Sequence, residues 1–494
     1  MKPLEHGAPA HTLTAERALR NAGIYGVTAG LRGGVGFLLL PLYTRALTPS
    51  EYGRLAIILV ITSAATIVFS FGLDFALFRG FFQLASQPAK QLRLVDSLWT
   101  FVIVASLAAA LSLSLAIAPW LPPGAIVSPG ELTISLLAAA LLVSATTIPL
   151  SLMRAQQRLR DYVVLSALYA GATAVSTLLL VVVLDYGVRG WVVAMLITNL
   201  ATFLAAVRLV PWRFPRLFER PALREGLLLG LPLIPHFLGH WALTLADRAV
   251  LAGLVSTATV GIYTLGATLA LPALILVQAI GQAFMPNYAA AAVDDGARLR
   301  LSGIVSVQAV CVLMICLAVA LLGPNLVAVV SPPEYHDAAP LVPWIALGYA
   351  FLGLYSIPMN ALSLGMGRTK FVWIATAVAA ATNIGLIYLL VPAHGLLAAA
   401  IASAVGYLVL LLAVSWHSRS PRNPVRCEWS RLLRAAGVVA SVYAAAILTT
   451  DDTGLVGAIG RAAWLGVAGV GLVMSGSVRA DRIRALLART QTTT

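Results

Sequence analysis

The chain has 494 residues, of which 60% are hydrophobic and 11% are charged, and its mean hydropathy is +0.91. Because a soluble domain carries roughly 25% charged residues, this composition excludes a water-soluble protein. The net charge of +14 could suit a nucleic acid, but the basic residues lie in short clusters between apolar runs, as in loops that face anionic lipid. We therefore expect an integral membrane protein that binds membrane lipids and no nucleic acid.

Fourteen apolar runs are long enough to cross a bilayer, since about 20 helical residues span its hydrocarbon core. They lie near 23–44, 55–78, 97–120, 132–153, 163–184, 190–210, 226–250, 258–283, 301–322, 341–364, 371–391, 395–415, 432–450 and 456–476. The longest predicted outer loop is proline-rich and covers about 323–340. These runs predict an all-α polytopic membrane protein with about 14 transmembrane helices and no extramembrane domain.

The basic residues are concentrated in alternate loops. When the N-terminus is placed in the cytoplasm, the cytoplasmic segments together hold 27 of the 33 lysines and arginines. The opposite loops carry acids such as Glu131 and Glu334. This is the positive-inside pattern, and it predicts that both termini lie in the cytoplasm. Only three of the 33 basic residues are lysines, a composition that fits a bacterial protein, so we expect the bacterial cytoplasmic (inner) membrane. Residues 1–22 lack the apolar core of a signal peptide, so the first span should act as an uncleaved insertion signal.

Two pairs of glycines repeat at one spacing. LTPSEYG ends at Gly53 and VSTATVG at Gly261, while LDYGVRG and PAHGLLA contain Gly187 and Gly395; each pair is 208 residues apart. This offset indicates duplication of a six-span unit, with chance matching of glycines as the alternative. Because six is even, both copies insert in the same orientation. We therefore expect two six-helix lobes with pseudo-two-fold symmetry around a central cavity, plus two C-terminal helices.

The predicted organisation follows the spans and the charge clusters. In chain order it comprises a cytoplasmic segment 1–22, an N-lobe 23–210, a basic linker 211–225, a C-lobe 226–417, a basic loop 418–431, two helices within 432–476 and a cytoplasmic tail 477–494. The sequence contains no Walker loop, no HExxH motif and no cysteine or histidine cluster with metal spacing. We therefore predict no catalytic residue, cofactor or metal site.

Charges inside the early spans are the first candidates for function, because a charge at bilayer depth costs roughly 2.5–3.5 kcal/mol and needs a cavity or a partner. Arg32 lies in the middle of the first span among glycines, and its fork of donors suits a phosphate or diphosphate. The alternative is an ion pair with a neighbouring span, for example through Asp74. Asp74 itself is either a site for a coupling cation or a hydrogen-bonded acid at a helix end.

The seventh span carries a second set of polar residues. Asp247 and Arg248 lie near its predicted outer end, where they could form an interfacial helix end or a gate across a cavity mouth. His236 and His240 are four residues apart and share one helix face. Two imidazoles alone make a poor metal site, so a wetted cavity lining is the better interpretation.

Several segments resemble one family. FLLLPLYTRALTPSEYGRLAI with FGLDFALFRGFF, LPLIPHFLGHWALTLADRAVLAGLVSTATVGIYTLGATLA and MGRTKF are similar to segments of Wzx-type oligosaccharide flippases, and the resemblance covers about residues 18–415. It implies membership of the multidrug/oligosaccharidyl-lipid/polysaccharide exporter superfamily, whose two lobes surround a cationic cavity. It also implies that Arg32 and Arg248 bind substrate. Asp247, His236 and His240 are further candidate substrate-binding residues, and Asp74 is the coupling-ion candidate.

The resemblance implies a flippase without covalent chemistry. Such a protein would move polyprenyl-diphosphate-linked oligosaccharide from the inner to the outer leaflet by alternating access, for O-antigen, capsule or exopolysaccharide. It leaves open an association with a polysaccharide polymerase and glycosyltransferases. The alternatives are a cation-coupled multidrug exporter, a lipid II flippase of the same superfamily, or a membrane polysaccharide polymerase or ligase. The last class needs a large outer loop or an acidic catalytic motif, and the sequence shows neither.

Overall fold

A computed structural model describes residues 34–84, 86–210, 219–293, 295–365, 371–419, 429–450 and 455–476, together with positions 24, 28 and 30. Across these ranges every regular element is helical and there is no strand. Twelve of the described helical segments are long and apolar enough to cross a membrane. The predicted all-α polytopic class is therefore confirmed.

One of these segments contains two predicted spans. The helix Val372–His417 has 46 residues, which corresponds to about 70 Å at 1.5 Å per residue. A hydrocarbon core is only about 30 Å thick. Gly395 interrupts the helix with φ 66° and ψ −156°, between the predicted spans 371–391 and 395–415. Thirteen of the fourteen predicted spans thus have full helical counterparts, and of the span 23–44 the structure describes residues 34–44 and positions 24, 28 and 30.

The chain forms two compact units. Unit 1 contains the described residues up to Ala46 and Ile61–Ile234, while unit 2 contains Leu47–Val60 and the described residues from Pro235 onward. This division differs from the predicted lobes, because the second and seventh spans each contribute residues to both units. The lobe boundaries at 210 and 226 stay predictions.

The first eight helices lie mainly in unit 1. They are α1 Leu40–Ala46, α2 Pro49–Phe69, α3 Leu73–Gln83, α4 Pro88–Ile117, α5 Pro129–Ala155, α6 Leu159–Thr177, α7 Gly187–Leu209 and α8 Arg220–Gly230. Two short segments extend these helices, a 3-10 turn at Ala118–Trp120 and a π-helix at Leu178–Val183. Helix α5 is central, since it packs against α3, α4 and α7. Its Ser144 faces α4, where the Trp99 indole donates a 2.7 Å hydrogen bond to the Ser144 carbonyl oxygen.

The remaining helices belong to unit 2. They are α9 Ile234–Ala252, α10 Thr257–Val293, α11 Asp295–Val330, α12 Leu341–Asn360, α13 Val372–His417, α14 Trp429–Thr449 and α15 Leu455–Met474. Helices α10 to α13 pack together, and the pair α14–α15 packs on α11. An apolar cluster joins the pair to α11 through Leu317, Leu321, Val442, Ala446 and Ala468.

Two of the spans are broken where they touch each other. The second span is interrupted at Phe71 and Gly72, whose φ values are 51° and 64°. The seventh span is interrupted by a 3-10 turn at Leu231–Leu233. Both glycines lie in unit 1. A Cβ atom built on Gly72 would overlap the carbonyl oxygen of Gly230, and a Cβ atom built on Gly230 would overlap the carbonyl oxygen of Phe71. The two helices approach so closely at their breaks that only glycine fits.

Two predicted loops are partly helical. Helix α11 continues through Pro324 to Val330, and a 3-10 turn occupies Pro333–Ala338, so the predicted outer loop 323–340 is much shorter. Helix α8 begins at Arg220, inside the predicted linker 211–225, with a proline in its first turn. Proline is well suited to that position, because the first helical N–H groups have no partner within the helix. Residues 211–218 lie outside the described residues.

The internal repeat has a backbone counterpart. Gly187 begins α7 with φ 53°, and Gly395, 208 residues later, has φ 66°. Positive φ strains residues with a Cβ atom, so both positions require glycine. The shared conformation supports duplication over chance matching.

Candidate functional site

Helix α9 carries polar side chains along most of its length, although it belongs to the apolar membrane segment Arg220–Ala252. His236, His240 and Thr244 follow at intervals of four, which places them on one face. Both histidines are exposed, whereas Asp247 and Arg248, one turn further on, are buried. The face therefore runs from exposed imidazoles to a buried ion pair.

Asp247 and Arg248 form that ion pair with each other. The Arg248 Nη1 atom lies 3.0 Å from Asp247 Oδ1, and both side chains are 8% exposed. The same carboxylate oxygen also accepts a 2.8 Å hydrogen bond from the Arg248 backbone N–H. Arg248 Nη1 donates to the Thr244 carbonyl oxygen at 3.3 Å as well. The guanidinium is thus held on its own helix by one carboxylate and one carbonyl.

Neighbouring helices complete the cluster. The Tyr263 hydroxyl on α10 donates a 2.6 Å hydrogen bond to Asp247 Oδ2. It lies 3.4 Å from Ser403 Oγ on α13, and Ser403 Oγ in turn lies 3.5 Å from Asn383 Oδ1. The Arg248 guanidinium carbon is 5.9 Å from the centre of the Tyr263 ring. Three helices therefore converge on one carboxylate and one guanidinium.

A small cavity lies beside this cluster within unit 2. The space open to the centre of a water molecule is about 10 Å³, which is room for on the order of one water. The lining combines the ion pair with hydroxyl, aromatic and apolar groups, from Leu243, Thr244, Asp247, Arg248, Tyr263, Ala267, Ile345, Tyr349, Ser403 and Tyr407. Such a cavity is polar enough to hydrate a guanidinium but too small for a sugar or a diphosphate.

The chemistry of the cluster favours an anion over a metal. Both oxygens of Asp247 already accept hydrogen bonds, from Arg248 and Tyr263. The described residues contain no group of three histidine, cysteine, aspartate or glutamate side chains that could hold a metal ion. Arginine retains its charge at any physiological pH and offers five donors to a planar or tetrahedral anion. The one permanent cation of the cluster is therefore its most suitable ligand-binding group.

The structure brings some of the predicted residues together. Asp247 and Arg248 form the cluster; both are buried, and they lie about one turn before the end of α9 at Ala252. His236 and His240 lie on the same helix but do not line the cavity. Asp74 belongs to the first turn of α3 in unit 1 and is partly buried. Arg32 lies outside the described residues, and so does any ion pair that it makes.

Local sequence patterns do not reveal the partners that complete the site. Tyr263 stands in the Gly-Ile-Tyr step, but nothing local connects it to Asp247, sixteen residues earlier. Asn383 and Ser403 are polar residues within apolar spans, a signal that could have marked them. The same signal does not mark the three tyrosines that line the cavity with Arg248, because tyrosine is common in membrane helices for many reasons. They are Tyr263, Tyr349 and Tyr407.

The fold matches those of solved membrane transporters. A lipid II flippase, MurJ, in an inward closed conformation has a TM-score of 0.68 at 12% identity, over 94% of this chain and 99% of that protein. A multidrug resistance MATE family transporter of the MOP superfamily, inward-facing, has a TM-score of 0.62 at 14% identity, over 78% and 93% of the two chains. At these identities the likeness concerns the fold. The protein thus has the fold of MOP superfamily transporters.

The sequence itself identifies the family. Residues 42–340 match the family described as polysaccharide biosynthesis protein, which is more than half of the chain. The protein therefore belongs to the polysaccharide biosynthesis protein family, as the resemblance of its early spans predicted. No curated protein is detectably similar to it in sequence.

Proposed function

We propose that the protein is a flippase that translocates polyprenyl-diphosphate-linked oligosaccharide from the inner to the outer leaflet by alternating access, for a cell-surface polysaccharide. The observation that carries this proposal is a permanently charged guanidinium, buried in a membrane-spanning helix of a protein of the polysaccharide biosynthesis family. A charge at that depth is costly to maintain. A substrate that carries an anionic diphosphate gives that charge a function.

The polar face of α9 supplies the rest of the proposed path. His236 and His240 present imidazoles at the exposed end, and Arg248 stands at the buried end. Imidazole and guanidinium groups donate hydrogen bonds to phosphate oxygens while the polyprenyl chain stays in the lipid. Arg32 is assigned the same role in the first span, and Asp74 the role of a coupling-ion site. These assignments are proposals.

The closed state of the cavity is consistent with a transporter between substrates. A space for about one water cannot admit a diphosphate. Arg248 can bind substrate only when α9, α10 and α13 separate, and Asp247 keeps the guanidinium neutralised until then. Alternating access requires such a change between two states.

A cation-coupled multidrug exporter would use the site differently. It would need a carboxylate available for a cationic drug, and Asp247 is instead bound by Arg248 and Tyr263. The MurJ-like fold makes lipid II the nearest alternative cargo, since lipid II is also a polyprenyl diphosphate. We place the protein in the bacterial inner membrane with both termini in the cytoplasm, and a polysaccharide polymerase and glycosyltransferases as possible neighbours in the pathway.

The proposal is tested with the purified protein in vesicles. A fluorescent polyprenyl-diphosphate oligosaccharide is incorporated in both leaflets, and a membrane-impermeant quencher reports how much of it moves between them. We expect complete quenching with the protein and half quenching in empty vesicles. A polyprenyl monophosphate without sugar is the control. Equal quenching with and without protein, for both oligosaccharide and lipid II probes, would contradict the proposal.

A further inference from the structure

Helix α3 in unit 1 has an exposed face made of aromatic rings and one arginine. Phe75, Phe78 and Phe82 are 52%, 44% and 55% exposed. They share one side of the helix with the exposed Arg79, since the four residues follow the spacing i, i+3, i+4 and i+7. The Phe78 and Phe82 rings meet edge-on, with 5.1 Å between their centres. We call these four residues the aromatic face.

The rest of the surface does not show this concentration of phenylalanine. Every other phenylalanine in the described part of the chain is partly or fully buried. The other exposed apolar residues are mainly leucine, valine and isoleucine. Contact with ordinary lipid chains therefore does not explain why the three exposed rings lie together on one helix.

The packing of α3 does not require these rings either. Leu73, Ala76 and Leu77 are buried on the opposite side of the helix, where α3 contacts α5 and α8. A Cβ atom built on Gly226 of α8 would lie 3.6 Å from the Ala76 Cβ, so the two helices are in close contact there. Helix α3 is thus held in unit 1 by its other side, and the aromatic face is available to a ligand.

Arg79 adds a positive charge at a defined depth. It makes no hydrogen bond or ion pair with a residue that the structure describes. By the predicted topology, α3 is the cytoplasmic end of the second span. Its 11 residues extend about 16 Å, roughly half of the hydrocarbon core. The guanidinium can therefore reach the phosphates of the inner leaflet, while Phe75 and Phe78 lie deeper in the hydrocarbon.

We infer that the aromatic face is a docking site for the polyprenyl diphosphate carrier in the inner leaflet, with Arg79 on the diphosphate and the phenylalanines on the first isoprene units. This inference rests on the proposed function, which makes the carrier the lipid part of the substrate. A guanidinium binds phosphate oxygens through its fork of donors. An isoprene unit has a double bond and a methyl branch, and a rigid, flat ring gives it a larger contact than a flexible aliphatic side chain does.

Photo-cross-linking of the full chain in lipid nanodiscs provides the first test. The probe is a polyprenyl diphosphate with a benzophenone in its first isoprene units, and mass spectrometry identifies the labelled peptides. We expect the label to concentrate within Leu73–Gln83. Unmodified polyprenyl diphosphate should displace it, and the same excess of phosphatidylglycerol should not. Label spread evenly over the exposed helices, or displaced equally by both lipids, would overturn the inference, because ordinary lipid would then cover the aromatic face.

Leucine substitutions test the rings. The triple variant Phe75→Leu, Phe78→Leu and Phe82→Leu keeps the surface apolar and should unfold at the wild-type temperature. It should bind polyprenyl diphosphate about tenfold more weakly, with little change for a saturated alkyl diphosphate of the same length. Trp373→Leu with Tyr388→Leu removes two exposed rings from α13 and is the matched control, which should bind as the wild type. Equal losses for the two lipids, or no loss for either, would overturn the inference.

Arg79→Gln tests the charge. Its affinity for polyprenyl diphosphate should fall about tenfold, because the charge-assisted bonds to the diphosphate are lost. Its affinity for polyprenol, which has no phosphate, should not change. Arg160→Gln is the control, since Arg160 is another exposed arginine near the predicted cytoplasmic surface. Equal losses in the two variants would show a general effect of net charge and would overturn the assignment of Arg79.

These binding tests separate the docking site from the proposed function, because they need no translocation. A protein that binds polyprenyl diphosphate on the aromatic face but moves none between the leaflets would contradict the flippase and support the docking site. Translocation by the triple variant at the wild-type rate, at carrier concentrations below saturation, would support the flippase and contradict the docking site.

Discussion

Arg461 Nη1 donates a 2.7 Å hydrogen bond to Asn325 Oδ1, and this contact ties α15, the last described helix, to α11. The same guanidinium donates to the Thr450 carbonyl oxygen at 3.1 Å, so it also holds the end of α14. All of these acceptors are neutral, and the arginine is 9% exposed. One side chain therefore adds polar contacts to the apolar cluster that already joins α14 and α15 to α11.

We predict that Asn325→Leu loosens α14 and α15 without unfolding the other helices. Leucine keeps the volume but leaves a buried donor without its acceptor, a change that costs about 1–3 kcal/mol. Hydrogen exchange of the peptides within 429–450 and 455–476 should accelerate. Thr382→Val is the control, because it removes a 2.9 Å bond to the Val378 carbonyl oxygen within one helix. Unchanged exchange would show that Asn325 does not anchor the pair.

The Asp247–Arg248 pair gives a prediction about stability and transport together. Asp247→Asn leaves a buried guanidinium without its counter-charge, which costs about 3–5 kcal/mol. The double change Asp247→Asn with Arg248→Met removes both charges and should recover much of the loss in thermal stability. It should nevertheless fail to translocate the oligosaccharide.

Arg419→Gln, at the exposed end of α13, is the control for the loss of an arginine. It removes a guanidinium that stacks on Trp416 at 5.0 Å and does not line the cavity, so translocation should persist. A double variant that is stable and active would show that the buried pair serves the fold alone.

Tyr263→Phe tests the hydrogen bond that reaches Asp247 from α10. A bond to a charged group contributes about 1.5–3 kcal/mol, so we expect a loss of this order in unfolding free energy. Tyr349→Phe is the matched control, since Tyr349 lines the same cavity and makes no hydrogen bond to another described side chain in the cluster. Thermal unfolding in detergent measures both variants. Equal losses would show that the Tyr263 hydroxyl does not hold the carboxylate.

Two glycines of α13 should respond to alanine in opposite directions. Neither Gly385 nor Gly395 has another atom within 4 Å of a built Cβ, but Gly395 has φ 66° and ψ −156°. Only glycine adopts that conformation readily, so Gly395→Ala should destabilise by about 1–3 kcal/mol. Gly385→Ala should stabilise the protein by about 0.4–1 kcal/mol, because alanine lowers the conformational entropy of the unfolded chain. Unfolding midpoints that shift in the same direction would contradict the assigned backbone strain.

The spans could be predicted because the bilayer fixes their length. Thirteen apolar runs became helices, and even the joint at Gly395 was marked by the repeat. The break at Phe71 and Gly72 was missed inside the predicted span 55–78, since apolar composition carries no information about backbone angles. The division into two units was equally hidden, because hydropathy does not show which helix each half of a broken span packs against.

The candidate site was only half visible in the sequence. Asp247 and Arg248 stood out because charges are rare in apolar spans. Ser403 comes within 3.4 Å of the Tyr263 hydroxyl from 140 residues away, and such convergence depends on how helices pack. The closed state of the cavity is likewise a tertiary property that no local pattern encodes.

Within unit 2, helices α2 and α10 cross at Gly53 and Gly261. A Cβ atom built on Gly53 would overlap the Thr257 carbonyl oxygen, and one built on Gly261 would overlap the Pro49 carbonyl oxygen. This reciprocal contact has an evolutionary consequence. In a symmetric dimer of six-helix subunits, one glycine codon would supply both sides of such a crossing. After fusion of the two copies, each position is inherited separately. The first copy now has Pro49 at the crossing, and the second copy has Thr257 at the equivalent position. The glycines cannot diverge in this way, because a side chain on either one would push both helices apart. Relatives that keep only one of the two should therefore have a differently packed second and eighth span.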